Sequence, residues 1–118
     1  MTRILLAIAL TLAFGTAWAA RTVELVEGAY ELALPAVTFP SSDGGFVRFR
    51  PCAECESVAL RVGSGTRYFT KAGNLALTDF LLAVDEIRET HENRAFVVVF
   101  YDLASKQVTR IAVGAAGY

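Results

Sequence analysis

The chain's two cysteines stand three positions apart, in the stretch Arg50-Pro51-Cys52-Ala53-Glu54-Cys55-Glu56-Ser57. A Cys-x-x-Cys supports one of three chemistries: thiol–disulfide exchange, half of a metal site, or a small disulfide ring that locks a turn. Exchange needs one thiol of depressed pKa, usually at a helix N-terminus or beside a cation. Here Glu54 and Glu56 add negative charge that disfavours a thiolate, Arg48 and Arg50 oppose it, and no βαβ pattern surrounds the motif. Structural zinc takes four ligands. The chain has two cysteines and a single histidine, His91, so a four-cysteine site would require two chains. Covalent haem needs a histidine after the second cysteine, and Glu56 stands there. The expectation is therefore no metal and no cofactor, with Cys52 and Cys55 joined to each other. A redox protein that uses Cys52 as the attacking sulfur is the alternative.

The arginines are the second feature. Arg48 and Arg50 alternate with Val47 and Phe49, and Arg61 alternates with Leu60 and Val62. Alternation of this kind sends Arg48, Arg50 and Arg61 to one face of a hairpin, and Arg67 joins them if the register of the next strand allows. Guanidinium groups so placed bind carboxylate or phosphate bidentately. The plainer alternative is a solvated face paired with some of the chain's 12 acids. Nucleophilic catalysis has no support. The Gly63-Ser64-Gly65 stretch lacks the wider Gly-x-Ser-x-Gly frame, and Asp85 and Glu86, adjacent on a helix, point apart. His91 reads as a helix C-terminal residue, and Tyr68 and Tyr101 as sheet residues with wet hydroxyls.

The elements that hold these residues follow from periodicity. Tyr30, Leu32 and Leu34 alternate with Glu31 and Ala33, a strand pattern, and residues 40–45, Pro-Ser-Ser-Asp-Gly-Gly, form a loop. Residues 46–50 and 58–62 alternate on either side of the cysteines and predict a hairpin with the cysteines at its tip. A first helical turn from Pro51 is the competing reading. Residues 66–70 are rich in β-formers. Phe80, Leu81, Val84 and Ile87 recur at helical spacing, with Thr78 or Asn74 as the cap. Ala95 to Tyr101 is continuously apolar and predicts a central strand buried on both faces, with residues 108–113 pairing back on it. The order of elements predicts an α+β fold: an antiparallel sheet of about five to six strands with one amphipathic helix packed on it.

The N-terminus sets the compartment. Arg3, the apolar run Ile4 to Phe14, and Ala17-Trp18-Ala19 have the layout of a secretory signal peptide. The run is too short for the roughly 20 residues of a membrane span. Cleavage after Ala19 divides the chain into a signal peptide, 1–19, and one small β-rich domain, 20–118. Without Arg3 the remaining 10 basic residues stand against 12 acidic ones, a net charge of −2. That balance excludes the basic excess expected of a nucleic-acid-binding domain. Export to an oxidising periplasm or exterior favours the disulfide. Together these features predict a periplasmic or secreted, non-enzymatic binding or structural module, whose partner is a protein or a small anionic ligand of the cell envelope.

Overall fold

The computed structural model describes residues 26–116. The expected signal peptide lies outside the described residues. Eight strands and one α-helix occur in the order β1 (Glu27–Ala33), β2 (Val37–Thr38), β3 (Phe46–Phe49), β4 (Val58–Arg61), β5 (Arg67–Thr70), β6 (Gly73–Leu75), α1 (Leu77–His91), β7 (Ala95–Asp102) and β8 (Val108–Ala115). The fold is mixed α+β, as expected, but the strands divide into two sheets. A five-stranded sheet runs β1-β7-β8-β5-β6, and a three-stranded sheet runs β2-β3-β4. Pairing is antiparallel except between β5 and β8, which run parallel with Tyr68 opposite Ile111.

A tight connection makes the division. After β1 the chain enters a 3-10 turn, Leu34–Ala36, with Pro35 at its start, a position where proline's missing N–H costs little. Leu34 is fully buried there. The turn carries the chain from the edge of one sheet into β2 at the edge of the other. The hairpin reading of residues 46–61 holds: Phe46 is opposite Arg61, Val47 opposite Leu60, Arg48 opposite Ala59 and Phe49 opposite Val58. An isolated bridge between Arg61 and Gln107 ties β4 to the start of β8.

Helix α1 packs on the inner face of the five-stranded sheet through Phe80, Val84 and Ile87. Phe80 meets Tyr68 of β5 at 5.1 Å and Phe39 edge-on at 5.5 Å between ring centroids. Tyr30 of β1 meets Phe49 of β3 at 4.9 Å, so the two sheets close one continuous core with Val47, Leu60, Val97, Val99 and Ile111. Leu81, expected in the buried face, is half-buried at its edge. Leu82 is 65% exposed. Neither expected cap holds its position: the helix begins at Leu77 behind Ala76, while Asn74 lies in β6 and Thr78 inside the first turn. Phe80 N–H closes that turn on Ala76 C=O at 2.8 Å.

The run Ala95 to Tyr101 is central, between β1 and β8. It is buried on one face only. Ala95, Val97 and Val99 point inward, while Phe96 is 42% exposed and Val98 and Phe100 are half-buried on the outer face. No element among the described residues covers that side. A continuous apolar run reports how both faces are built, not which of them the same chain covers.

Candidate functional site

Cys52 and Cys55 are joined by a disulfide at the tip of the β3–β4 hairpin. Their Cα atoms are 5.0 Å apart, and Cys55 N–H donates to Cys52 C=O at 3.2 Å, so the ring encloses one tight turn. Cys52 is exposed and Cys55 half-buried. No helix begins at either cysteine, which leaves the tip without the helix dipole that usually depresses a reactive thiol's pKa. One wall of an open depression of about 390 Å³ is formed by Arg50, Pro51, Cys52 and Ala53, and the opposite wall by Glu31 to Ala33 of β1 and Ala36. The tip therefore lies beside the far end of β1.

The outer face of the three-stranded sheet carries Arg48, Arg61 and Phe46. Phe46 is opposite Arg61 in register, and Arg48 follows two residues along the same strand, so all three side chains leave on one side. Both guanidinium carbons lie 5.6 Å from the Phe46 ring centroid, within cation–π range. Phe46 is itself 39% exposed. Among the described residues no carboxylate forms an ion pair with Arg48, Arg50, Arg61 or Arg67. Two like charges are thus gathered about one aromatic ring with no acid between them.

The other two arginines lie elsewhere. Arg50, just beyond the end of β3, lines the depression at the disulfide tip. Arg67 is in the five-stranded sheet, in register with Arg110 of β8, because β5 pairs with β8 and not with β4. Phe46 was the residue missed. It shares the parity of Arg48 within the Phe-Val-Arg-Phe-Arg run, and that parity was the available signal.

Other polar groups are structural. The Gly-Ser-Gly stretch is a turn in which Gly63 N–H donates to Thr66 Oγ1 at 3.0 Å, and Thr66 Oγ1 donates to Val108 C=O at 2.7 Å. His91 ends α1, with Nδ1 at 2.7 Å from Thr90 Oγ1. Tyr68 does not have the wet hydroxyl expected of it. The residue is 3% exposed, and its hydroxyl is buried without a hydrogen-bond partner among the described residues. Burial, reinforced by the nearby negative charge of Asp43, pushes its pKa up to about 12. The expectation misses because β5 sits between two strands, with α1 directly over Tyr68. Tyr101 stacks on Tyr30 at 5.3 Å, and the adjoining Tyr101 side chain, followed by burial, raises the pKa of Tyr30.

Among the described residues no helix is long and apolar enough to cross a membrane. No family model matches the chain, and neither a curated protein nor a solved structure matches it.

Proposed function

We propose that the protein is an exported, non-enzymatic binding module that engages an anionic partner of the cell envelope through Arg48, Phe46 and Arg61. The observation that carries this reading is the ring of Phe46, exposed between two guanidinium groups at 5.6 Å that have no carboxylate partner among the described residues. An exposed arginine pair with no acid repels itself weakly. A carboxylate or phosphate placed between the two relieves that repulsion and receives planar, bidentate hydrogen bonds. The aromatic ring restrains both side chains, so less rotamer entropy is lost on binding. Arg50 extends the positive surface toward the tip. The Cys52–Cys55 ring holds the turn beyond it in one conformation, as an exported protein's recognition loop requires. The apolar run Ile4 to Phe14 and the disulfide support export.

Capture from an envelope extract by the oxidised protein tests the reading, with a variant carrying Arg48→Gln, Arg50→Gln and Arg61→Gln as the comparison. Capture should be salt-sensitive, abolished in the glutamine variant and weakened in the corresponding lysine variant, with thermal stability unchanged. Capture that survives the glutamine substitutions defeats the proposal. A large fall in thermal stability would assign the arginines to the fold instead.

A further inference from the structure

The outer face of the five-stranded sheet is charged at its two sides and apolar between them. One row across it reads Ala29 of β1, Phe100 of β7, Arg110 of β8 and Arg67 of β5, with Glu27 and Glu31 two residues to either side of Ala29. Glu27 is opposite Asp102 at the end of the β1–β7 ladder, and its carboxylate reaches across Phe100 to Arg110 at 3.2 Å. The Arg110 guanidinium carbon lies over the Phe100 ring, 3.8 Å from its centroid. The next row is Glu31, Val98, Ala112 and Phe69. Two acids, Glu27 and Glu31, are on β1, a third, Asp102, ends β7 with its carboxylate turned to its own loop, and both bases are on β8 and β5.

Two neighbouring arginines in register are unfavourable. The bridge to Glu27 offsets one of them, but Arg67 forms no ion pair among the described residues. Beside this imbalance lie Phe96, Val98 and Phe100, with Ala112 and Gly114 opposite them on β8. The large side chains make a ridge on β7, and the small ones a furrow on β8. Phe96 already leans over Gly114, where an added Cβ would lie 2.7 Å from its ring.

We propose that this face joins two copies of the chain about a twofold axis parallel to the strands, between β7 and β8. The charge pattern selects that axis. Rotation about it exchanges the two sides of the sheet, bringing Arg67 of each copy over Ala29 of the other, within reach of Glu27 and Glu31 on either side, and β7 of each copy over β8 of the other. A twofold axis across the strands would set β1 on β1, acid against acid. Face-to-face packing of two sheets is an ordinary arrangement, about 10 Å deep, and an isologous contact closes at two copies. Such a contact supplies a cover for the apolar run Ala95 to Tyr101 that no element among the described residues provides.

Sedimentation and light scattering of the full exported protein, purified without reductant, test the proposal. A concentration-dependent dimer is expected. Arg67→Glu and Glu27→Arg should each weaken it by at least about tenfold, by placing like charges face to face. An equimolar mixture of the two variants should restore a dimer, because both contacts are then complementary. Phe96→Ser, at a position exposed in the single chain, should also weaken dimerisation while leaving the circular dichroism unchanged. This keeps the test open if a charge reversal fails to fold. The proposal is overturned if the wild-type protein is monomeric at every accessible concentration, or isolated in a stoichiometric complex with a different protein. A dimer indifferent to Arg67→Glu and Phe96→Ser also overturns it. Arg48, Phe46 and Arg61 lie in the other sheet, so loss of anionic capture and loss of the dimer are independent results.

Discussion

The β3–β4 and β7–β8 hairpins are both antiparallel, yet they differ in their outer faces and in what closes their loops. In β3–β4 the alternation is clean: Val47, Phe49 and Leu60 are buried, while Phe46, Arg48 and Arg61 face out. In β7–β8 both faces are apolar for most of their length. The first loop is closed by a covalent bond between Cys52 and Cys55. The second is closed by hydrogen bonds: Lys106 N–H donates to Asp102 C=O and Asp102 N–H to Gln107 C=O, each at 2.8 Å, and one carboxylate joins them. Asp102 Oδ1 accepts from the N–H groups of Ala104 at 2.9 Å and Ser105 at 2.8 Å, and from the Ser105 hydroxyl at 3.2 Å. The comparison separates two roles. The β3–β4 hairpin has an apolar inner face, a polar outer face and a cross-link at its exposed tip. The central hairpin draws its stability from burial, and hydrogen bonds suffice to turn its chain.

The largest effect tests the claim that β7–β8 holds the core. Ile111 is fully buried beneath α1, and Ile111→Ala should cost about 2–5 kcal/mol by chemical denaturation. Phe96→Ala, on the outer face, should cost much less when measured at concentrations where the chain is monomeric. Equal losses at the two positions would mean that the outer face is as well covered as the inner one within a single chain.

The next effect concerns the covalent loop. Closing so small a ring restrains the unfolded chain by only about 2 kcal/mol, a minor share of the roughly 5–15 kcal/mol typical of a domain. Reduction should therefore leave both sheets folded and speed amide exchange mainly at residues 51–57. Global unfolding on reduction would make the tip a keystone of the fold. The reduction potential sharpens the result: below about −300 mV the bond is structural, whereas a value near −120 to −270 mV marks a thiol–disulfide exchanger.

Much of this contrast was legible in the residues. Strict alternation in residues 46–49 and 58–61 identified the first hairpin, and the apolar spacing of Phe80, Val84 and Ile87 identified the helix, because both patterns are local. The division into two sheets was not legible. It depends on β5 choosing β8, a parallel partner about forty residues away (Thr66 Oγ1 meets Val108 C=O across 42 positions). No period within β5 encodes that choice. It also decided the site, since it moved Arg67 away from Arg48 and Arg61 and placed it beside Arg110. The missing hydrogen-bond partner of the Tyr68 hydroxyl has the same origin. A strand's partners set its burial, and Arg67 to Thr70 do not name theirs.

The smallest expected effect separates the hydrogen-bonded loop from the covalent one. Three donors aimed at the Asp102 carboxylate, with the Ser105 backbone N–H foremost, hold its pKa below the usual aspartate value. A carboxyl whose pKa is lower in the folded chain than in the unfolded one stabilises the fold when both are ionised. Its contribution is therefore fully present above the unfolded pKa, near 3.8. It declines as pH falls below that value and is lost once pH passes the depressed folded pKa. The carboxylate is solvent-exposed, so screening keeps the effect modest. Amide exchange at Ala104 and Ser105, corrected for the intrinsic pH dependence of exchange, should rise through that acid window in the wild-type protein. Asp102→Asn retains an acceptor oxygen and should remove the pH dependence while keeping part of the protection. Asp102→Ala should expose both amides at every pH. With Glu54 and Glu56 replaced by glutamine, the disulfide tip serves as the internal control, because neither Cys52 nor Cys55 has a proton to take up. If residues 51–57 lose protection in the same acid window as residues 102–107, the loops are coupled through the core and the assignment of local closure to Asp102 fails.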